Sequence, residues 1–161
     1  MIILLMGVSG SGKTTIGNRL SDDLKWDFID GDGLHPQANI DKMSHGIALT
    51  DDDRKPWLET IRSLIQHGLE DKKNFVLACS ALKASYRSQL KQDSDQVKIV
   101  YLKASEAVLQ ERMQHRQGHF MPPSMLHSQL ETLEEPTDAI ALHSDQPVEQ
   151  IVAQIRQAIG V

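Results

Sequence analysis

The chain is poor in the residues that most often mark a macromolecular partner. Among its 161 residues there is one cysteine, Cys79, which excludes an internal disulfide framework and a thiolate-built metal site and fits a reducing, cytoplasmic setting. Aromatic residues make up 4%, too few for the stacking platforms that grip single-stranded nucleic acid. Lys and Arg number 17 against 22 Asp and Glu, a formal charge of −5, so the basic surface expected of a nucleic-acid binder is missing. The apolar run from Ile2 to Met6 is too short for a membrane span or a signal-peptide core, and it passes directly into glycines. The seven histidines show no H-E-x-x-H or other ligand spacing. With no repeat or low-complexity stretch either, these absences leave one domain of ordinary size, residues 1–161, whose default partner is a small molecule rather than nucleic acid or membrane.

What is present begins at the N-terminus. Ile2 to Met6 reads as a buried strand, and Gly7-Val8-Ser9-Gly10-Ser11-Gly12-Lys13-Thr14 then fits G-x-x-x-x-G-K-[ST] at every fixed position, with Thr15 following. Chance supplies those four positions in well under about 1% of chains this long, so a phosphate-binding loop is the reading. Its glycines let successive N–H groups turn toward an anion at a helix start. Lys13 adds a point charge for the β- and γ-phosphates, and the Thr14 hydroxyl is suited to Mg²⁺.

The rest of the chain alternates strands and helices. A helix carrying Ile16, Leu20 and Leu24 precedes a strand over Trp26 to Asp30; residues 37–50 are polar and irregular with one helical turn near Ile40 to Met43. Asp51, Asp52 and Asp53 suit a helix start, with Pro56 in the first turn and Trp57, Leu58, Ile61, Ile65 and Leu69 as its apolar face. A strand over Asn74 to Cys79 leads at Ser80 into a helix with Leu82, Tyr86 and Leu90, and a fourth strand spans Val97 to Leu102. Ser105 caps a helix bearing Leu109 and Met113, residues 118–123 interrupt it, and Met125, Leu126, Leu130 and Leu133 form a second run closed by Pro136. A short strand at Ala139 to Leu142 and a helix with Val148, Ile151, Val152, Ile155 and Ile159 complete the pattern. The order, with the glycine loop after the first strand, predicts an α/β P-loop fold, a mostly parallel five-stranded sheet with helices on both faces and, at the Gly/Pro interruption, a short helical lid around 112–136.

A phosphate loop alone leaves open a kinase, a switch or a motor. Phosphoryl transfer needs a metal, a carboxylate on the attacking oxygen and cations on the transferred group. Asp30 and Asp32, two apart at a strand's carboxyl end, share a face if the segment is extended, although Asp-Gly is equally natural as a turn. Arg112 and Arg116 lie one helical turn apart beside the Gly/Pro interruption, as the cations of a closing lid would. Asp30 to Gly33 spells D-x-x-G, but no [NT]-K-x-D guanine-reading segment accompanies it, which disfavours a GTP switch. Cys79 and Ser80 have no base beside them in the pattern and read as packing.

Several segments then carry a family resemblance: the GVSGSGKT loop, Asp30-Gly31-Asp32 with His35-Pro36, Asn39 to Met43, DDDRKPWL from Asp51, CSALK from Cys79 with Tyr86-Arg87, Arg116 with Gly118-His119-Phe120, and Gln129 with ETLEEP from Glu131. Together they resemble the small P-loop gluconokinases through nearly the whole chain; Ala48, where proline is expected, is the one departure noted. Shikimate kinase shares the sheet and the paired aspartates, but DDDRKPWL and CSALK fit the gluconokinases better. The resemblance implies ATP-dependent phosphorylation of D-gluconate, Mg²⁺ as cofactor and a homodimer. It implies that Asp32 acts on the substrate hydroxyl, that Asp30 and Thr14 position Mg²⁺, and that Arg54, Lys83, Arg87 and His35 meet the sugar acid, whose carboxylate calls for charge-assisted donors. The segment Ser144 to Pro147, Gln146 included, resembles the place where such kinases hold adenine.

Overall fold

The structure, a computed structural model, describes residues 1–115 and 125–161. Five strands, β1 (Ile2–Met6), β2 (Asp27–Asp30), β3 (Phe75–Ala78), β4 (Val97–Lys103) and β5 (Ile140–His143), form one sheet in the order β2-β3-β1-β4-β5. Every pairing is parallel, with Leu4 level with Leu77 on one side and Ile99 on the other. The crossover from β1 runs to β2 at one edge, and that from β3 passes β1 to reach β4 on its other side, so the order reverses about β1 and opens a crevice at the carboxyl ends.

The helices are α1 (Lys13–Leu24), α2 (Gln37–Ser44), α3 (Asp51–Glu70), α4 (Ala84–Lys91), α5 (Glu106–Gln114), α6 (Met125–Thr132) and α7 (Val148–Ile159). Successive side chains of a strand point to opposite faces, so β1, inaccessible on both, feeds two cores. Ile2, Leu4 and Met6 pack with Trp57, Ile61 and Ile65 of α3 and Tyr86 and Leu90 of α4. Ile3 and Leu5 pack with Ile16 and Leu20 of α1 and Ile151, Val152 and Ile155 of α7. Above the strand ends, Leu126 of α6 joins Val8, Leu82 and Leu109, while Met125 joins Met43 and Leu49.

Three local expectations change. α4 begins at Ala84, not Ser80, because Ala81 adopts φ 45° and the Arg87 side chain takes the carbonyls of Ala81 and Leu82 at 2.8 and 3.1 Å, so the strand end continues as a loop. α2 is a full two-turn helix, anchored by Asn39, whose Nδ2 donates to Asp53 O at 2.8 Å. Pro56 falls in the second turn of α3, because Thr50 caps the helix in a reciprocal capping box with Asp53.

Candidate active site

The glycine loop follows β1 as its sequence requires. Gly12 caps α1 at φ +100°, a left-handed conformation that disfavours any side chain. Consecutive residues Gly10 to Ile16 then line a cavity of about 490 Å³, completed by Asp32, Arg112, Ser144, Gln146, Val148 and Ile151. Thr14 and Thr15 are thus on its wall. Gly7, Val8 and Ser9 form the underside instead: Lys13 Nζ donates to the carbonyls of Gly7 at 2.8 Å and Val8 at 3.2 Å. Lys13 is nearly enclosed, with 7% of its side chain exposed, and lies 3.9 Å from Asp32 Oδ2.

Asp32 stands on a 3-10 turn, Gly31–Leu34, not on an extended segment, so it does not share a strand face with Asp30. The Asp30 carboxylate accepts the Asp32 N–H at 3.0 Å and caps the turn. Trp57 Nε1 donates to Gly31 O at 2.8 Å from below. Glycine is needed at 31, since a Cβ there would come within 2.5 Å of Ala78 O. Both halves of the two-aspartate reading therefore meet here: the turn is real, and it aims Asp32 into the crevice.

Beyond Asp32 lies a second, small pocket of about 30 Å³, lined by His35, Arg54, Trp57, Tyr86, Gln129 and neighbouring side chains. That is room for roughly two waters. His35 stacks on Trp57 with ring centroids 4.3 Å apart, and Asn39 Nδ2 sits 3.2 Å from its Nδ1. An amide donor there leaves the ring proton on Nε2. Burial, with a smaller contribution from Arg54, outweighs Asp32 and pulls the imidazole down to about 4, so the ring is neutral at pH 7.

At the pocket mouth Arg54 donates to the Tyr86 hydroxyl at 3.2 Å, and Lys83 Nζ donates to Asp51 Oδ1 at 2.7 Å. Tyr86 also donates to Asp51, and both cations lie within 6 Å of the Tyr86 ring, at 5.8 and 5.7 Å. The Lys83 hydrogen bond, with that of Tyr86, holds the Asp51 carboxyl below its usual value. These cations are therefore occupied by a carboxylate of the chain itself.

Two arginines sit differently from the cations of a lid or a substrate clamp. Arg112 donates to Gly10 O at 3.0 Å, Ser144 Oγ at 3.0 Å and Ser144 O at 2.7 Å, tying the phosphate loop to the segment after β5. Arg87 turns away from the acceptor pocket and spends its guanidinium on the carbonyls of Ala81, Leu82 and Glu134, the last at 2.7 Å. Arg116, Gly118, His119 and Phe120 lie outside the described residues. Gln146 is on the cavity wall, bonded to His143 O at 2.8 Å and by Gln154 at 3.1 Å. Burial raises the Cys79 thiol, which makes it unreactive.

Sequence reasoning placed Ser144 only within the adenine segment and assigned no site role to Tyr86 or Asn39, although both fall in segments that carry the resemblance. Oxygen donors suit Mg²⁺, and Thr14 beside Lys13 and Asp32 supplies one in the cavity. Among the described residues no group of three His, Cys, Asp or Glu could hold a metal, and no helix is long and apolar enough to cross a membrane.

A family model described as an AAA domain matches residues 2–136. The chain is 47% identical over 146 residues to the gluconokinase of Gluconobacter oxydans (strain 621H), covering 91% of this chain and 79% of that protein. It is 41% identical over 162 residues to the thermoresistant gluconokinase of Escherichia coli (strain K12), covering 98% and 93%. The crystal structure of a gluconokinase from Sinorhizobium meliloti 1021 superposes with a TM-score of 0.85 at 46% identity, over 98% of this chain and 90% of that one. Likeness of this degree takes in the acceptor side as well as the phosphate loop, and the chain belongs to the gluconokinase family.

Proposed function

We propose that this protein transfers the γ-phosphoryl group of ATP to the primary hydroxyl of D-gluconate, giving 6-phospho-D-gluconate and ADP. The observation that carries the reading is Asp32, which lines both cavities and stands 3.9 Å from Lys13. A carboxylate at that junction orients the hydroxyl and accepts its proton as the oxygen attacks phosphorus. Lys13 neutralises charge on the β- and γ-phosphates, and the loop amides from Gly10 to Thr15 cradle them. Arg112, held at Gly10, keeps a second cation beside the same oxygens. Thr14 and, through water, Asp30 would hold Mg²⁺, which would supply positive charge to offset that of the phosphates. Gln146, Val148 and Ile151 line the end of the cavity suited to adenine.

On the acceptor side, Arg54 and Lys83 take the gluconate carboxylate in exchange for Asp51, and neutral His35 donates from Nε2 to a sugar hydroxyl. Arg87 acts one step back, holding the loop that carries Lys83. A pocket of about 30 Å³ must open to admit a hexonate, so we assign α6 and the segment around it to a lid within a single P-loop kinase domain. A homodimer and a cytoplasmic setting belong to the same reading; light scattering of the purified protein tests the first. The activity is tested by ADP formation from Mg-ATP with D-gluconate, other aldonates, shikimate, glucose and nucleoside monophosphates. Turnover confined to gluconate is expected; turnover on another acceptor would keep the kinase and discard the substrate, and none at all would discard both.

A further inference from the structure

One side chain belongs to both halves of the site. Gln129 of α6 lines the acceptor pocket, and its carboxamide closes on the phosphate loop 120 positions away in sequence. Ser9 N–H donates to Gln129 Oε1 at 2.7 Å, and Gln129 Nε2 donates to Ser9 Oγ at 3.0 Å. Ser9 and Gln129 are 3% and 8% exposed, so the clasp is made away from solvent.

What flanks Ser9 gives the clasp its leverage. Val8 O receives Lys13 Nζ, and Gly10 O receives Arg112 Nη1. Any displacement of Ser9 moves the supports of both cations together. At its other end, α6 carries Met125 against Met43 and Leu49, which line the acceptor pocket, and Leu126 against Val8 and Leu82. Opening that pocket to sugar-acid size displaces the α6 wall, and Gln129 is fixed to the wall.

We propose that Gln129 is a positioning residue that couples acceptor occupancy to the phosphate loop: α6 shifts to admit the sugar acid, the carboxamide carries the shift to Ser9, and the carbonyls beside it reset Lys13 and Arg112. The inference rests on the gluconate reading. Coupling of this kind is reciprocal, so each substrate tightens the other by the same factor.

The test is titration calorimetry of a non-hydrolysable ATP analogue with and without saturating D-gluconate, on the wild-type chain, Gln129→Leu and Ser9→Ala, with gluconate binding measured separately. In the wild type gluconate is expected to tighten the analogue about five- to tenfold. Both variants should bring that ratio toward one, whatever they do to analogue affinity without gluconate, because the carboxamide clasp is the link between the two sites. If Gln129→Leu does not fold, Ser9→Ala decides, since it removes one bond from the other side at little cost in volume. A variant that keeps the wild-type ratio, or that weakens the analogue equally with and without gluconate, overturns the proposal; the second outcome is mere loop support. Gluconate that binds the wild type without tightening the analogue overturns the coupling alone, whereas gluconate that does not bind overturns the substrate reading and the coupling with it.

Discussion

The nucleotide side and the acceptor side of this site are built by different means. The first is largely backbone: consecutive residues 10–16 supply much of a cavity of about 490 Å³, shaped by glycine conformations that need no ligand to hold them. The second is side chain: Asp32 and His35 from one turn, Arg54 from α3, Tyr86 from α4 and Gln129 from α6 leave about 30 Å³. Its long polar side chains pair with one another, Asp51 taking Lys83 and Tyr86. A site made of backbone is shaped by local conformation, whereas one made of side chains depends on pairings between distant segments.

The comparison breaks first at Lys13, where the nucleotide side depends on one side chain. Lys13→Ala removes the cation and frees the Gly7 and Val8 carbonyls, so turnover should fall by about 10³-fold with the fold retained. Steady-state ADP release together with circular dichroism checks this, and near-normal turnover would refute the loop's role. Asp32→Asn, at the junction, should cost about 10²- to 10³-fold in kcat with ATP affinity almost unchanged. Calorimetric titration with ATP separates the roles: lost nucleotide binding would make Asp32 a metal-side residue.

Arg54 sharpens the comparison from the acceptor side. Its truncation leaves the sugar carboxylate short of a donor, so the KM for gluconate should rise about 30-fold, equivalent to about 2 kcal/mol, with kcat within a few fold. An unchanged KM would remove Arg54 from the site. Arg87→Ala provides the contrast: its three carbonyl partners lie in the loop and the tail after α6, so the change should appear as a lowered melting temperature and reduced kcat rather than as a selective KM effect.

The same division explains what could be read in advance. Strand and helix order, the phosphate loop and the capping of α5 by Ser105 are local matters of period and side-chain type, and they stand as expected. What changed depends on contacts distant in sequence. The start of α4 is set by Arg87 reaching back to Ala81, the second turn of α2 by Asn39 bonding Asp53, and the turn under Asp32 by Trp57 bonding Gly31. Spacing also placed Arg112 as a lid cation, yet its guanidinium joins Gly10 to Ser144, a contact that periodicity on α5 has no means of showing. The resemblance supplied the candidates for the acceptor side; the pairing of Arg54 and Lys83 with Tyr86 and Asp51 is a tertiary fact.

His35 carries the smallest effect and tests whether the acceptor side is truly held closed and dry. Its ring, stacked on Trp57 with Nδ1 facing the Asn39 amide, is lowered by burial from 6.5 to about 4. Below pH 6.5 the unfolded chain therefore takes up a proton that the folded chain refuses, so this residue's contribution to stability shrinks as pH falls from 6.5 toward 4 and levels off below that. Partial exposure reduces the full linkage value, leaving about 1–2 kcal/mol. Denaturant unfolding at pH 7 and pH 5 should show that loss in the wild type and a flatter profile in His35→Gln, which has no proton to take up. An equal slope in both would mean that the ring titrates as it does in water and that the pocket around it is open.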